Sequence, residues 1–149
     1  MTDHDAEDVL QELLRFIGDD PSRPGLRETP RRIIKAWAEM FAGYHTPPPV
    51  LTDFDDPHDE LVIVRNIAFT SMCEHHVLPF HGSAAVCYIP NGRVIGLSKL
   101  ARVVEWHARR LQTQERLTRE ITSMLTNALH PRGIGVVIRA VHLCMVARG

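Results

Sequence analysis

The sequence is short of the features that mark several classes of protein. Three cysteines, Cys73, Cys87 and Cys144, form an odd and sparse set that does not suit a disulfide framework. Charge of one sign is not in excess: 17 Lys and Arg against 18 Asp and Glu leave a formal net charge of -1, so no global field draws the chain to nucleic acid or to an anionic membrane. An anionic ligand would have to be held by local basic residues. No apolar run approaches the roughly 20 residues of a membrane helix. The acidic start, Met1-Thr2-Asp3-His4-Asp5, lacks the basic residues and apolar stretch of a signal peptide. Internal repeats and low-complexity segments are missing as well. These absences predict a cytoplasmic protein whose thiols are metal ligands, catalytic groups or small buried apolar residues.

What is present suits one globular domain. A hydrophobic share of 44% in 149 residues is enough for a sizeable core. Val9, Leu10, Leu13, Leu14 and Ile17 recur at helical spacing over residues 6–17, and Gly18 and Pro21 end the pattern. Thr29-Pro30 signals a second helix, with Ile33, Ile34, Trp37, Ala38 and Phe41 on its apolar face and Gly43 as its stop. Residues 44–59, with three consecutive prolines and an acidic cluster, read as a loop.

The pattern then changes. Leu61 to Thr70 and Ser83 to Ile89 are strand-like, Pro90-Asn91-Gly92-Arg93 is a turn, and Val94-Ile95 briefly resumes the strand. Ser98 is a candidate cap for a helix to about Arg110, with Leu100, Ala101, Val103, Val104 and Ala108 inward. A helix from Gln114 to Leu129 carries Leu117, Ile121, Met124, Leu125 and Ala128 on one stripe, and His130-Pro131 breaks it. Ile134 to Val146 reads as a last strand, placing Val136, Ile138, Ala140, His142 and Cys144 on one face. Helices and strands in blocks predict an α+β fold with an antiparallel sheet.

The chemistry concentrates in Ser71-Met72-Cys73-Glu74-His75-His76. Cys73 and His76 stand at C-x-x-H spacing, close enough for one loop to offer both to one ion. His142-Leu143-Cys144 supplies a second thiol if the last strand lies beside that loop. Zinc takes thiolate and imidazole readily. Three protein ligands leave a place for water, as in catalytic zinc sites, whereas a fourth from His75 or His142 would close the site as a structural clip. Buried cysteines with no metal are the third reading. His75 and His142 suit proton transfer, with a role for His142 as a hydrogen-bond partner of a ligand as the alternative. Cys87, mid-strand with no partner motif, reads as core.

Several motifs in register resemble the GTP cyclohydrolase I family: Thr70 to His76, Tyr88-Ile89-Pro90, Gly96 to Arg102, Arg109 to Thr118, and His142 to Met145. The similarity runs from about Thr29 to Gly149. It implies that Cys73, His76 and Cys144 bind Zn2+, that His75 protonates the purine imidazole, and that His142 is a second active-site histidine. It further implies that Glu115 anchors the guanine edge and that Ser98, Lys99, Arg102, Arg32 and Arg148 surround the triphosphate.

The implied reaction is zinc-dependent hydrolysis at C8 of GTP, release of formate, and rearrangement to 7,8-dihydroneopterin triphosphate, which opens tetrahydrofolate and pterin synthesis. The implied fold is a four-stranded antiparallel sheet with two inserted helices (a T-fold, or tunnelling fold), preceded by N-terminal helices. Residues 1–45 form the helical region and 60–149 the core of one domain. The resemblance also implies homo-oligomers, decamers of two five-fold rings with sites at subunit boundaries. Family members usually continue past the position of Gly149 with a strand and a short helix, so the core is expected to be truncated at its C-terminal end. An inactive or regulatory homologue and a protein with a purely structural zinc are the alternatives.

Overall fold

A computed structural model describes residues 2–149. They fall into two compact units, one ending at Met40 and one spanning Phe41–Gly149. The first holds α1 (Asp3–Ile17) and α2 (Thr29–Met40). Thr2 starts α1 through a capping box: its hydroxyl accepts from the Asp5 N–H, and the Asp5 carboxylate accepts from the Thr2 N–H at 2.7 Å. Gly18, at φ 103°, closes the helix in the left-handed conformation that glycine adopts without strain. Leu10 is buried, while Val9, Leu13 and Ile17 of the same apolar stripe stay exposed.

The second unit is built on a four-stranded sheet of order β5-β2-β3-β6, with β2 Val62–Cys73, β3 Pro79–Ile89, β5 Leu111–Gln112 and β6 Gly133–His142. β2, β3 and β6 pair antiparallel, as expected, whereas the two residues of β5 add a parallel pair beside Met72 and Cys73. Two helices, α3 (Leu97–Ala108) and α4 (Gln114–Leu129), are inserted between β3 and β6. Their inward residues, including Leu100, Val103, Val104, Leu117, Ile121 and Leu125, are fully buried in one cluster with Phe80, Val86 and Tyr88 of β3. Each contributes about 1.5–3 kcal/mol by leaving water. Ala128, expected on that stripe, is exposed. Among the described residues no helix is long and apolar enough to cross a membrane.

Four local readings change. Residues 44–59 are not all loop: β1 (Asp53–Asp55) pairs antiparallel with β4 (Arg93–Ile95) in a separate two-stranded sheet. Asp53-Phe54-Asp55 is too short to carry a strand pattern, and pairing with a segment forty positions away creates the strand, helped by an Arg93–Asp53 ion pair at 2.9 Å. Ser98 does not cap α3. The cap is Gly96, whose carbonyl accepts from the Lys99 N–H at 2.8 Å, and Ser98 lies in the first turn. Cys87 is only half-buried, its thiol directed at the Gly135 carbonyl at 3.6 Å.

The last strand stops at His142, and Leu143–Val146 turns into a short helix, α5. Cys144 is therefore not on the strand face of His142. A continued strand would carry it roughly 6.6 Å further along the sheet. The helical turn instead tucks it, 7% exposed, back against the sheet end.

Close approach of β3 and β6 makes one glycine indispensable. A Cβ on Gly82 would sit 1.9 Å from the Arg139 carbonyl oxygen, a backbone atom that cannot swing aside. Gly82→Ala is expected to destabilise the protein by about 3 kcal/mol, the upper end of what core overpacking usually costs, because the clashing atom is backbone. Denaturant unfolding checks this, and a midpoint equal to the parent's would refute it.

Candidate metal centre and active-site cleft

Two elements and one turn meet at one end of the sheet. β2 ends at Cys73, and residues 73–78 reverse the chain into β3. The reversal is tight: the Cys73 N–H donates to the Leu78 carbonyl at 2.8 Å and the Val77 N–H to the Cys73 carbonyl at 2.9 Å. Val77 adopts φ 52°, which a β-branched residue rarely tolerates and which costs on the order of 1–3 kcal/mol. That turn folds His76 back beside Cys73, Nδ1 to Sγ 3.9 Å. α5 delivers Cys144 to the same point.

The donor atoms of Cys73, His76 and Cys144 all lie within 4.8 Å of one another. A tetrahedral ion with bonds of about 2.0–2.3 Å sets its ligands roughly 3.4–3.8 Å apart, so a small contraction closes the set. Burial pushes the Cys144 thiol up in pKa, and its hydrogen bond and charge interaction with Cys73 add to the shift. Two thiolates side by side are thus disfavoured until a divalent cation stands between them, which is what the residue types and spacing fit. Among the described residues neither His75 nor His142 joins this group.

The three donors open onto a cleft of about 270 Å³, also lined by His75, Phe80, Gln114, Glu115 and His142. His142 is Phe80's cross-strand partner, and the register stacks the rings 4.9 Å apart and 2° from parallel. Gln114 orients that imidazole. Its amide N–H donates to the Ile138 carbonyl at 3.1 Å, so its oxygen faces His142 Nε2 at 3.0 Å and accepts from it. His142 therefore carries a proton on Nε2, which in the neutral tautomer leaves the lone pair on Nδ1. Glu115 is exposed in the first turn of α4, where the helix dipole favours a carboxylate. His75, its side chain 65% exposed, stands on the turn with Nε2 3.7 Å from Glu74.

Arg148 reaches the centre, Nη2 lying 3.1 Å from His76 Nε2. Ser98, Lys99 and Arg102 lie on α3 and do not line this cleft. Arg32 belongs to the N-terminal unit, where it lines a separate depression with Arg31 and Lys35.

Behind the cleft runs a polar network that the motifs do not announce. Gln112, 1% exposed, donates from Nε2 to Glu120 at 2.8 Å and to the His107 carbonyl at 3.0 Å. Its Oε1 accepts from Arg116 Nε at 2.8 Å. Buried His107 places Nδ1 3.2 Å from Glu120, and its Nε2 has no hydrogen-bond partner.

Burial, the largest influence, holds the His107 imidazole below its ordinary 6.5; the Glu120 charge opposes this and Arg110 reinforces it. Between the folded value and 6.5 the unfolded chain binds a proton that the folded chain does not. Stability from this group therefore rises with pH across that window and is complete above it. Tm is expected to fall as pH drops from about 7.5 to about 5.5, and less steeply in His107→Gln. Parallel Tm–pH curves for the two proteins would refute this.

Fold and site together define an α+β enzyme scaffold with a Cys–His–Cys metal-donor set at the mouth of a histidine-lined cleft. The family model of GTP cyclohydrolase I matches residues 6–149. A relative from Mycolicibacterium vanbaalenii, named GTP cyclohydrolase 1, is 54% identical over 148 residues, covering 97% of this chain and 73% of its own. Relatives of the same name from a Synechococcus species and from Chlorobium chlorochromatii are 52% and 50% identical, with 63% and 68% of their own lengths covered. The chain belongs to the GTP cyclohydrolase I family of enzymes.

Proposed function

We propose that the protein converts GTP to 7,8-dihydroneopterin triphosphate with release of formate, using Zn2+ held by Cys73, His76 and Cys144. The observation that carries this reading is the convergence of the three donors, two histidines and Glu115 on one cleft. Zinc held by Cys73, His76 and Cys144 would supply Lewis acidity and would lower the pKa of a water molecule bound to it.

The chain's own residues do the rest. Glu115 accepts from two N–H groups of the guanine edge, which sets the base in the cleft. His75, on the rim, supplies a proton to the purine imidazole as the ring opens. His142, with Nε2–H held by Gln114, accepts or returns a proton at Nδ1. A neutral imidazole accepts at one nitrogen only, so His76 cannot ligate through Nδ1 and accept from Arg148 at Nε2 together. Arg148 is thereby released to pair with phosphate, for which its fork geometry suits.

At about 270 Å³ the cleft is smaller than most ligand sites and takes a base more readily than a whole nucleoside triphosphate. Ser98, Lys99 and Arg102 therefore act from a neighbouring copy in a homo-oligomer, and Arg32 is assigned with them to the triphosphate. The domain works in that reading as a helical region, 1–45, leading into the catalytic core, 60–149.

The test is direct. Purified protein is assayed for zinc per chain, for formate and pterin from GTP, and for size by light scattering. Stoichiometric zinc with no formate would overturn the proposed activity, and a monomer at working concentration would overturn the shared site.

A further inference from the structure

His75 and Glu115 must face one substrate, yet they sit on different elements, the turn after β2 and the first turn of α4. One side chain spans both. Arg116 follows Glu115 on α4, and its backbone N–H is capped by the Thr113 hydroxyl at 3.1 Å. Its guanidinium is used in three directions: Nε donates to Gln112 Oε1 at 2.8 Å, Nη2 donates to the Leu111 carbonyl, and Nη1 pairs with Glu74 Oε2 at 2.7 Å. Glu74 is the residue before His75, and its other oxygen is the one that faces the His75 ring.

An ion pair between two floppy exposed side chains does little. This pair differs because the guanidinium is pinned to Gln112, which is itself buried and tied to Glu120 and to the His107 carbonyl. The buried network therefore ends at the turn that carries His75. The Glu74 N–H, donating to the Gln112 carbonyl at 3.1 Å, makes the parallel backbone link.

We propose that Arg116 is a positioning residue: by clamping Glu74 onto Gln112 it fixes the His75 turn at a set separation from Glu115 across the cleft. The proposal rests on the reaction proposed above for the roles of His75 and Glu115. It assigns to Arg116 a function that neither a metal-donor nor a substrate-contact role describes. A misplacement of about 1 Å at reacting groups can cost about 10²-fold in rate, so the clamp is a kinetic device.

The test uses zinc-loaded protein and three variants, Arg116→Ala, Arg116→Lys and Glu74→Gln. Arg116→Ala is expected to lower kcat by about 10²-fold with KM for GTP and zinc content near the parent's. Arg116→Lys, a point charge without the fork, should recover about a tenth of the parental kcat. Glu74→Gln should lower kcat by about tenfold or more. Independently of turnover, the amide of Val77 in the turn should exchange its hydrogen roughly tenfold faster in Arg116→Ala and Glu74→Gln than in the parent.

Unchanged kcat in both clamp variants, or unchanged exchange at Val77, would overturn the proposal. Should Arg116→Ala fail to fold, the half-buried, isosteric substitution Glu74→Gln decides by the same two readouts. A parent protein that releases no formate would instead overturn the proposed reaction, and the exchange measurement would still judge the clamp.

Discussion

Cys144→Ala is expected to lose its zinc and, with it, formate release. The residue supplies one of three donors that lie within 4.8 Å of one another, and no fourth protein donor joins them among the described residues. Loss even of a residue that only orients a ligand costs about 10–100-fold in metal affinity, so loss of a ligand should exceed about 10²-fold. Zinc measured after dialysis against a mild chelator should fall well below one per chain, and formate should drop to background. Cys87→Ala is the control: its thiol points at the Gly135 carbonyl, away from the centre, and the variant should keep its zinc. A Cys144→Ala protein that retained stoichiometric zinc through dialysis would remove the proposed ligand set.

His75→Ala tests chemistry apart from metal binding. The side chain lines the cleft without belonging to the donor group. Zinc content should therefore match the parent's, while kcat should fall by about 10²–10⁴-fold, the range for loss of a general acid. The folded state should hardly notice, since the ring is largely exposed. Equal turnover by the variant would take the proton-donor role from His75, and equal loss of zinc would make it a structural part of the centre.

Much of this site was legible because its chemistry is local. C-x-x-H spacing holds two donors on one turn whatever the fold around it, and Cys73 and His76 are found 3.9 Å apart. Cys144 was also identified, but for a reason that needed correcting. Alternation suggested a strand through Val146, and the donor set closes because the strand stops at His142 and a helical turn follows. Periodicity cannot distinguish a strand's last residues from the first turn of a short helix, since four residues carry too little pattern. β1 failed for a related reason: three residues, Asp53-Phe54-Asp55, become a strand only through a partner distant in the chain.

The long elements were set by residue order alone. Apolar positions at helical spacing on α3 and α4, and strand-like runs along β2 and β3, each demand one buried face, which leaves an α+β arrangement as the way to bury them together. The motifs likewise singled out Cys73, His75, His76, Glu115, His142 and Cys144, the residues that line one cleft. Their separations, the stack of His142 on Phe80, and the path from Gln112 through Arg116 to Glu74 were decided only in three dimensions. Apart from Gln112 and Arg116, four residues apart, these contacts join residues distant in the chain. They exist because strand register and helix packing bring particular side chains within hydrogen-bond reach, and that is a property of the assembled core.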